Sequence, residues 1–240
     1  MPLYVYSITA KDHPLRLDGM SGVGSEPAPP LRTVTAGTLC AVVSDVTEEI
    51  RPKRRDLATH QEVQERLMAD GAILPLQFGY TAPDDLAVRQ ALESNAADYL
   101  GALERLEGCA EYHVRASQAD ETPLLQQILA DVPEARDLND RILSGDLDPG
   151  LPLALGEMVA REVQARQETL AAGLVEALVP FAREHVNHPS SGADFLNLSL
   201  LVPDEHKDSL HTAQANLSRE IGSGIDLRFS GPLPPYSFVS

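Results

Sequence analysis

Polar and apolar residues alternate along Leu3–Thr9 (LYVYSIT), and the run is rich in β-formers, so a first strand is expected there. Residues 14–30 hold four prolines and three glycines and read as a loop or mobile flap. Leu31–Thr35 and Thr38–Val46, parted by Ala36-Gly37, have the pattern of a tight hairpin. A helix is expected from Asp56 to about Asp70, with Leu57, Val63 and Leu67 near helical spacing, closed by Gly71. Ala72–Tyr80 (AILPLQFGY) follows as an apolar strand that Pro75 demotes to an edge or a bulge. Asp84 and Asp85 open a second helix to about Leu106, its stripe running through Leu92, Ala96, Tyr99, Leu100 and Leu103. Glu111–Ser117 alternates as a strand, with His113 and Arg115 on one side and Tyr112, Val114 and Ala116 on the other.

The first half thus reads β-ββ-α-β-α-β, close to a ferredoxin-like α+β sandwich with one hairpin added. Residues 120–150 are acidic and helical in pieces, broken at Pro133 and Pro149, which suits a linker. A long helical pattern from Pro152 to about His188 passes Val159, Val163, Leu170, Leu174, Leu178 and Phe181. At 1.5 Å per residue it spans about 55 Å, with a kink expected at Pro180. A strand over Asp194–Val202, a helix over Glu205–Ile221 and a strand over Ile225–Ser230 complete the chain. Two strands make no stable sheet, so the second half must borrow a strand from the first or pack tightly against it. The expected class is α+β with two domains. A ferredoxin-like domain covers 1–118, a helical linker 119–151, and a more helical α+β domain with its long helix 152–240.

Composition changes this picture little. Of 240 residues, 43% are hydrophobic and 23% charged, as in ordinary globular chains. Met1–Ile8 looks like a strand rather than a signal peptide, and Cys40 and Cys109 show no pairing pattern, so a reduced, cytoplasmic chain is expected. No apolar run approaches the roughly 18 residues that would span a membrane. Charge says more. The net value is −17, and residues 1–55 carry 7 basic and 6 acidic side chains against 12 and 30 in residues 56–240. Such a field repels nucleic acid and anionic membranes. The run Arg51, Lys53, Arg54, Arg55 is the exception, and without interleaved aromatics it reads as a solvated loop before a helix.

No motif brings chemistry together. Gly19, Gly22 and Gly24 hint at a dinucleotide fingerprint, but Pro27 stands where the third glycine belongs. His185 and His188, three apart at an expected helix end, lack a third ligand, so a structural role favoured by the helix dipole is expected. His60 and His113 have no visible base or nucleophile and read as exposed or hydrogen-bonded surface histidines. The acid pairs Asp84-Asp85, Glu48-Glu49 and Asp120-Glu121 sit where helices start and are explained by capping. Asn197 and Asn216 match the glycosylation sequon, without consequence in a cytoplasmic chain. No residue is assigned a catalytic, cofactor-binding or metal role.

The segment Gly231–Val239 (GPLPPYSFV) is the most informative. Its prolines Pro232, Pro234 and Pro235 remove three backbone donors, yet it ends in Tyr236, Phe238 and Val239. A stiff, donor-poor strap of this kind is expected to pack down on the body or on a partner. Four segments together resemble the GvpF/GvpL family of gas vesicle proteins. They are LYVYSI at Leu3–Ile8; THQEVQERL with His60, joined to ILPLQFGY with Leu74, Pro75, Phe78 and Gly79; Glu111–Arg115 after a helix ending Leu-Glu-Gly; and GPLPPYSFV. The likeness runs the length of the chain in order. It departs at Gln77, where members often carry Arg, and at Leu233, where they often carry Trp.

The resemblance implies two α+β domains and a non-enzymatic accessory protein of the gas vesicle. Its expected partners are the small hydrophobic main shell protein and other gas vesicle accessory proteins, with no cofactor. The edge features at Pro75 and over Pro14–Pro30 are the first surfaces to consider, and the partner-binding residues stay open. A different class, a small-molecule-binding or catalytic ferredoxin-like protein, would need a pocket lined by His60, His113 or Arg115. A third reading is a scaffold that links accessory proteins alone.

Overall fold

The structure, a computed structural model, describes residues 1–24, 27–47, 50–222 and 224–239. The capping expected of Glu48-Glu49 lies outside the described residues. The first sheet is built on β1 (Leu3–Ala10), which pairs antiparallel with β3 (Leu39–Asp45). β2 (Leu31–Ala36) joins β3 as the expected hairpin, its turn made by Gly37 at φ 58°. The short β4 (Leu74–Pro75) and β5 (Thr81–Ala82) both pair with β1, giving the order β2-β3-β1-β4 with β5 beside it.

Ala72–Tyr80 is therefore no continuous strand. Pro75 has no N–H to continue a ladder, and the chain loops out between β4 and β5. It stays tied to β1 as Leu76 N–H donates to the Tyr6 carbonyl at 2.8 Å and Val5 N–H to the Tyr80 carbonyl at 3.0 Å.

In β1 the register slips between Val5 and Ser7, an extra residue that marks a β-bulge. Helix α1 (Arg54–Met68) packs on this strand, and its buried face is Asp56, His60, Val63, Gln64 and Leu67. Leu57, expected in the stripe, is 44% exposed. The face runs at the 4-3-1-3 spacing of a helical stripe, but three of its five members are polar. Val63 and Leu67 join Tyr4, Tyr6, Val23, Val42 and Ile73 in one core cluster. The Pro14–Pro30 segment feeds that cluster and is no free flap. Val23 is buried, Leu15, Leu17 and Met20 pack against the core, and Ser21 bridges to Pro30. Gly22 lets this happen, because a Cβ there would lie 2.7 Å from the Ser44 side chain.

The expected second helix is two, α2 (Asp85–Ser94) and α3 (Ala96–Leu106), broken at Asn95. The Asn95 side-chain amide donates to the Ala91 carbonyl at 2.8 Å, beside its own backbone N–H at 3.2 Å. Asp84 caps α2 by accepting from Ala87 N–H at 2.8 Å. Both helices contact β1, β2, β3 or the short strands.

Strand β6 (Cys109–Gln118) enters a second sheet rather than closing the first. After α4 (Thr122–Asp131) and α5 (Pro133–Leu143), the long α6 covers Leu151–Leu178. It does not kink at Pro180 and continue. A single 3-10 turn at Val179–Phe181 ends it, and Glu184–Asn187 forms β7. Pro180 removes the donor that another turn requires, and pairing with β8 (Asp194–Pro203) takes the following residues instead. With α7 (Lys207–Glu220) and β9 (Ile225–Leu233) the sheet order is β7-β8-β6-β9. The strand that the second half must borrow is β6. β9 runs on through Pro232 as an edge strand, where a missing donor is tolerated.

The chain divides into two compact units. One comprises 1–112, 201–204 and 231–240, the other 113–200 and 205–230. The fold is mixed α+β, with two sheets and seven α-helices among the described residues. Among the described residues Cys40 and Cys109 are not joined in a disulfide. Among the described residues no helix is long and apolar enough to cross a membrane.

Candidate functional site

The segments singled out in the sequence meet in the first unit, around His60. The bulge in β1 makes this possible, because it lets neighbouring residues Tyr6 and Ser7 both reach α1. Gln64, one helical turn after His60, accepts from the Ser7 hydroxyl. Its amide donates to the Tyr6 carbonyl at 2.6 Å and the Leu76 carbonyl at 3.4 Å. Tyr6 stacks on the imidazole with 5.8 Å between centroids, while Tyr4 and Phe78 meet its edges.

His60 is enclosed, at 4% exposure, and not on the surface as its sequence context suggests. Nδ1 lies 2.9 Å from the Tyr4 hydroxyl and Nε2 3.1 Å from that of Tyr236. Tyr4 already accepts from Gly79 N–H at 3.0 Å. Its own proton is then best donated to Nδ1, which leaves Nε2–H to donate to Tyr236, a tautomer assigned from the network. The Gln64 amide protons go to the two carbonyls, which agrees with this assignment. Burial holds the imidazole below its ordinary pKa, so the neutral form is favoured. Burial raises the Tyr4 and Tyr6 phenols and pushes Tyr236 up to about 12. The cluster is a neutral hydrogen-bonded network across the pH range of most cells.

Tyr236 belongs to the strap, and the next two residues are held as well. The buried Glu111 carboxylate on β6 accepts from Ser237 N–H at 2.9 Å and from the Ser237 hydroxyl at 2.7 Å. The Arg105 guanidinium on α3 donates to the Phe238 carbonyl at 2.6 Å. The Phe238 ring is 3% exposed, and Pro234 and Pro235 are buried. At the strap's root Gly231 has φ 153°, and a Cβ there would lie 2.5 Å from the Tyr112 ring and 3.0 Å from the Glu111 carbonyl. The strap packs down on the first unit. Gln77 is exposed and Leu233 half-buried, so the strap's hold rests on Tyr236, Ser237 and Phe238 rather than on Leu233.

The remaining candidates lie elsewhere. His113 and His188 belong to the second unit, with ring centroids 5.8 Å apart, and His188 Nε2 is 2.8 Å from the Ser199 hydroxyl. His185 is on strand β7 and His188 follows it, so neither ends a helix and the dipole argument does not apply. Arg115 is exposed on β6. Among the described residues no three His, Cys, Asp or Glu side chains gather to hold a metal ion. Arg51, Lys53, Arg54 and Arg55 are exposed before and within the first turn of α1, and Arg55 donates to the Gly24 carbonyl at 2.7 Å. Asp120 accepts from Thr122 N–H at 2.9 Å at the start of α4.

Each unit also carries an apolar groove of its own. In the first, Met1, Pro2, Val46, Ile50, Gly79 and Thr81 line about 660 Å³. In the second, Val175, Val179, Pro180, Phe195 and Leu196 of α6, the 3-10 turn and β8 line an open groove of about 690 Å³.

The arrangement as a whole is that of an α+β protein already known in crystals. The chain superposes on the gas vesicle protein GvpF of Anabaena sp. PCC7120 with a TM-score of 0.84 at 20% identity, covering 100% of this chain and 98% of that one. GvpF of Microcystis aeruginosa gives 0.79 at 21% identity, covering 100% and 99%. Those likenesses define the fold. In sequence, the chain is 41% identical over 240 residues to gas vesicle protein F of Streptomyces sp. (strain CB03234), covering 100% of both. It is 27% identical to gas vesicle protein L of the same organism, over 98% of this chain and 92% of that one. Residues 2–240 match the family described as Gas vesicle synthesis protein GvpL/GvpF. The chain belongs to the GvpL/GvpF family and is a gas vesicle protein.

Proposed function

We propose that the protein is an accessory factor of the gas vesicle that binds the small hydrophobic main shell protein and assists its nucleation or assembly by keeping it from aggregating. It acts by contact, with no bond made or broken, and other gas vesicle accessory proteins are further partners. The observation that carries the reading is the match over residues 2–240 to a gas vesicle synthesis family. The physics supports it. An apolar shell subunit associates with a driving force of roughly 25 cal/mol per Å² buried. A carrier must cover part of that area while staying soluble itself. A body of net charge −17 meets the second need, and apolar grooves in its units meet the first.

The Pro75 segment is less available than its sequence suggests, since Leu74 and Pro75 are buried against β1. The test is co-expression with the main shell protein. Soluble, co-purifying shell protein supports the reading. Shell protein that pellets equally with and without this chain contradicts it.

A further inference from the structure

Three consecutive strap residues, Tyr236, Ser237 and Phe238, are each held by a polar side chain from a different element: His60 of α1, Glu111 of β6 and Arg105 of α3. Two of the contacts read backbone groups, the Ser237 N–H and the Phe238 carbonyl. Two read side chains, the Tyr236 and Ser237 hydroxyls. The Phe238 ring fills a buried position beyond them. Tyr236–Phe238 form a single 3-10 turn, so the body reads a turned segment, with main-chain bonds for affinity and a pocket for selectivity. The prolines at 232, 234 and 235 reduce the entropy lost on ordering, as in other proline-rich ligands.

We propose that His60, Glu111 and Arg105 form a peptide-recognition seat, selective for a neutral Pro-Pro-Tyr-Ser-Phe segment, and that the chain's own strap is its resident occupant. Selectivity follows from Glu111. At a carboxylate that is 2% exposed, water cannot replace the two Ser237 donors, so a ligand without them is rejected more strongly than its lost contact area implies. Tyr236 adds a second condition, a hydroxyl that accepts from His60.

The test uses the full chain carrying a protease site between Leu233 and Pro234, folded with the strap in place and then cut. A fluorescent peptide of residues 234–240 is titrated in and its anisotropy followed. The expected result is saturable exchange. A Tyr236→Phe peptide binds up to about tenfold more weakly for one neutral hydrogen bond. A Ser237→Ala peptide binds about 10- to 100-fold more weakly for a charge-assisted one. In cut protein carrying Glu111→Gln the gap between the native and Ser237→Ala peptides shrinks, a coupling that simple covering of apolar surface does not produce. Three results would each overturn the proposal. They are a cut protein that unfolds, a folded one whose segment never exchanges, and equal binding of native and scrambled peptides.

Discussion

Replacing His60 by Phe keeps a planar ring in the enclosure and removes both of its hydrogen-bonding nitrogens. Tyr4 is fully buried, and its hydroxyl keeps the bond from Gly79 N–H but loses the acceptor for its own proton. An unsatisfied buried donor costs about 1–3 kcal/mol. Tyr236 is half-buried and loses about 0.5–1.5 kcal/mol. The sum, about 1.5–4.5 kcal/mol, is a large share of the roughly 5–15 kcal/mol that holds a domain folded. The reporter is built in. All six tyrosines lie in the first unit and the chain has no Trp, so tyrosine fluorescence follows that unit alone. In urea the midpoint should fall by about 1 M at an unchanged m-value. A double-mutant cycle with Tyr236→Phe should show coupling of about 0.5–1.5 kcal/mol. A loss below about 0.5 kcal/mol, or additive single effects, would refute the network as drawn.

Three further outcomes follow from the same geometry. His60 is held neutral in the fold while the unfolded imidazole takes up a proton near 6.5, so the first unit should lose stability as pH falls below that value. The loss stops once pH passes the lower folded pKa, and His60→Phe should remove this slope from the urea midpoint measured between pH 5 and 7. Gly231→Ala meets the Tyr112 ring and a strained φ, so a loss of about 2–4 kcal/mol is expected, read as a lower thermal midpoint and faster proteolysis of the strap. Arg32 bridges Asp85 at 2.7 Å and Asp45 at 2.9 Å, yet its side chain is about a third exposed. Arg32→Ala should therefore cost about 1 kcal/mol or less, and less still in high salt, checked by urea unfolding with and without salt.

Much of this was legible in the residues. The strand at Leu3–Thr9, the hairpin around Ala36-Gly37 and the cap at Asp84 are local signals, and the structure keeps them, though the strand is buried on both faces rather than alternating. The long-range matters were harder. Asn95 breaks a helix whose apolar stripe continues past it, and its side-chain amide joins its own N–H on the Ala91 carbonyl at the break. Pro180 reads as a kink in a continuing helix, and it is pairing with β8 that takes the following residues into a new strand instead. His60 looked like surface because histidine usually is. The signal that could have corrected this is its spacing: His60 and Gln64 share the helical face of Val63 and Leu67, so polar groups on that face must find partners inside. Glu111 sits in an alternating strand with nothing local to announce the strap that satisfies it. Nor does their order in the chain show that the four segments of the resemblance meet in space, as they do through Tyr4, His60, Phe78, Glu111 and Tyr236.

The measurement that tests the central claim most directly is light scattering of purified main shell protein diluted from denaturant into buffer with increasing amounts of this chain. The account predicts that scattering falls as the ratio approaches stoichiometry, with a complex of defined mass by size-exclusion chromatography. Undiminished scattering at every ratio, with both proteins shown to be folded or refoldable alone, would contradict it.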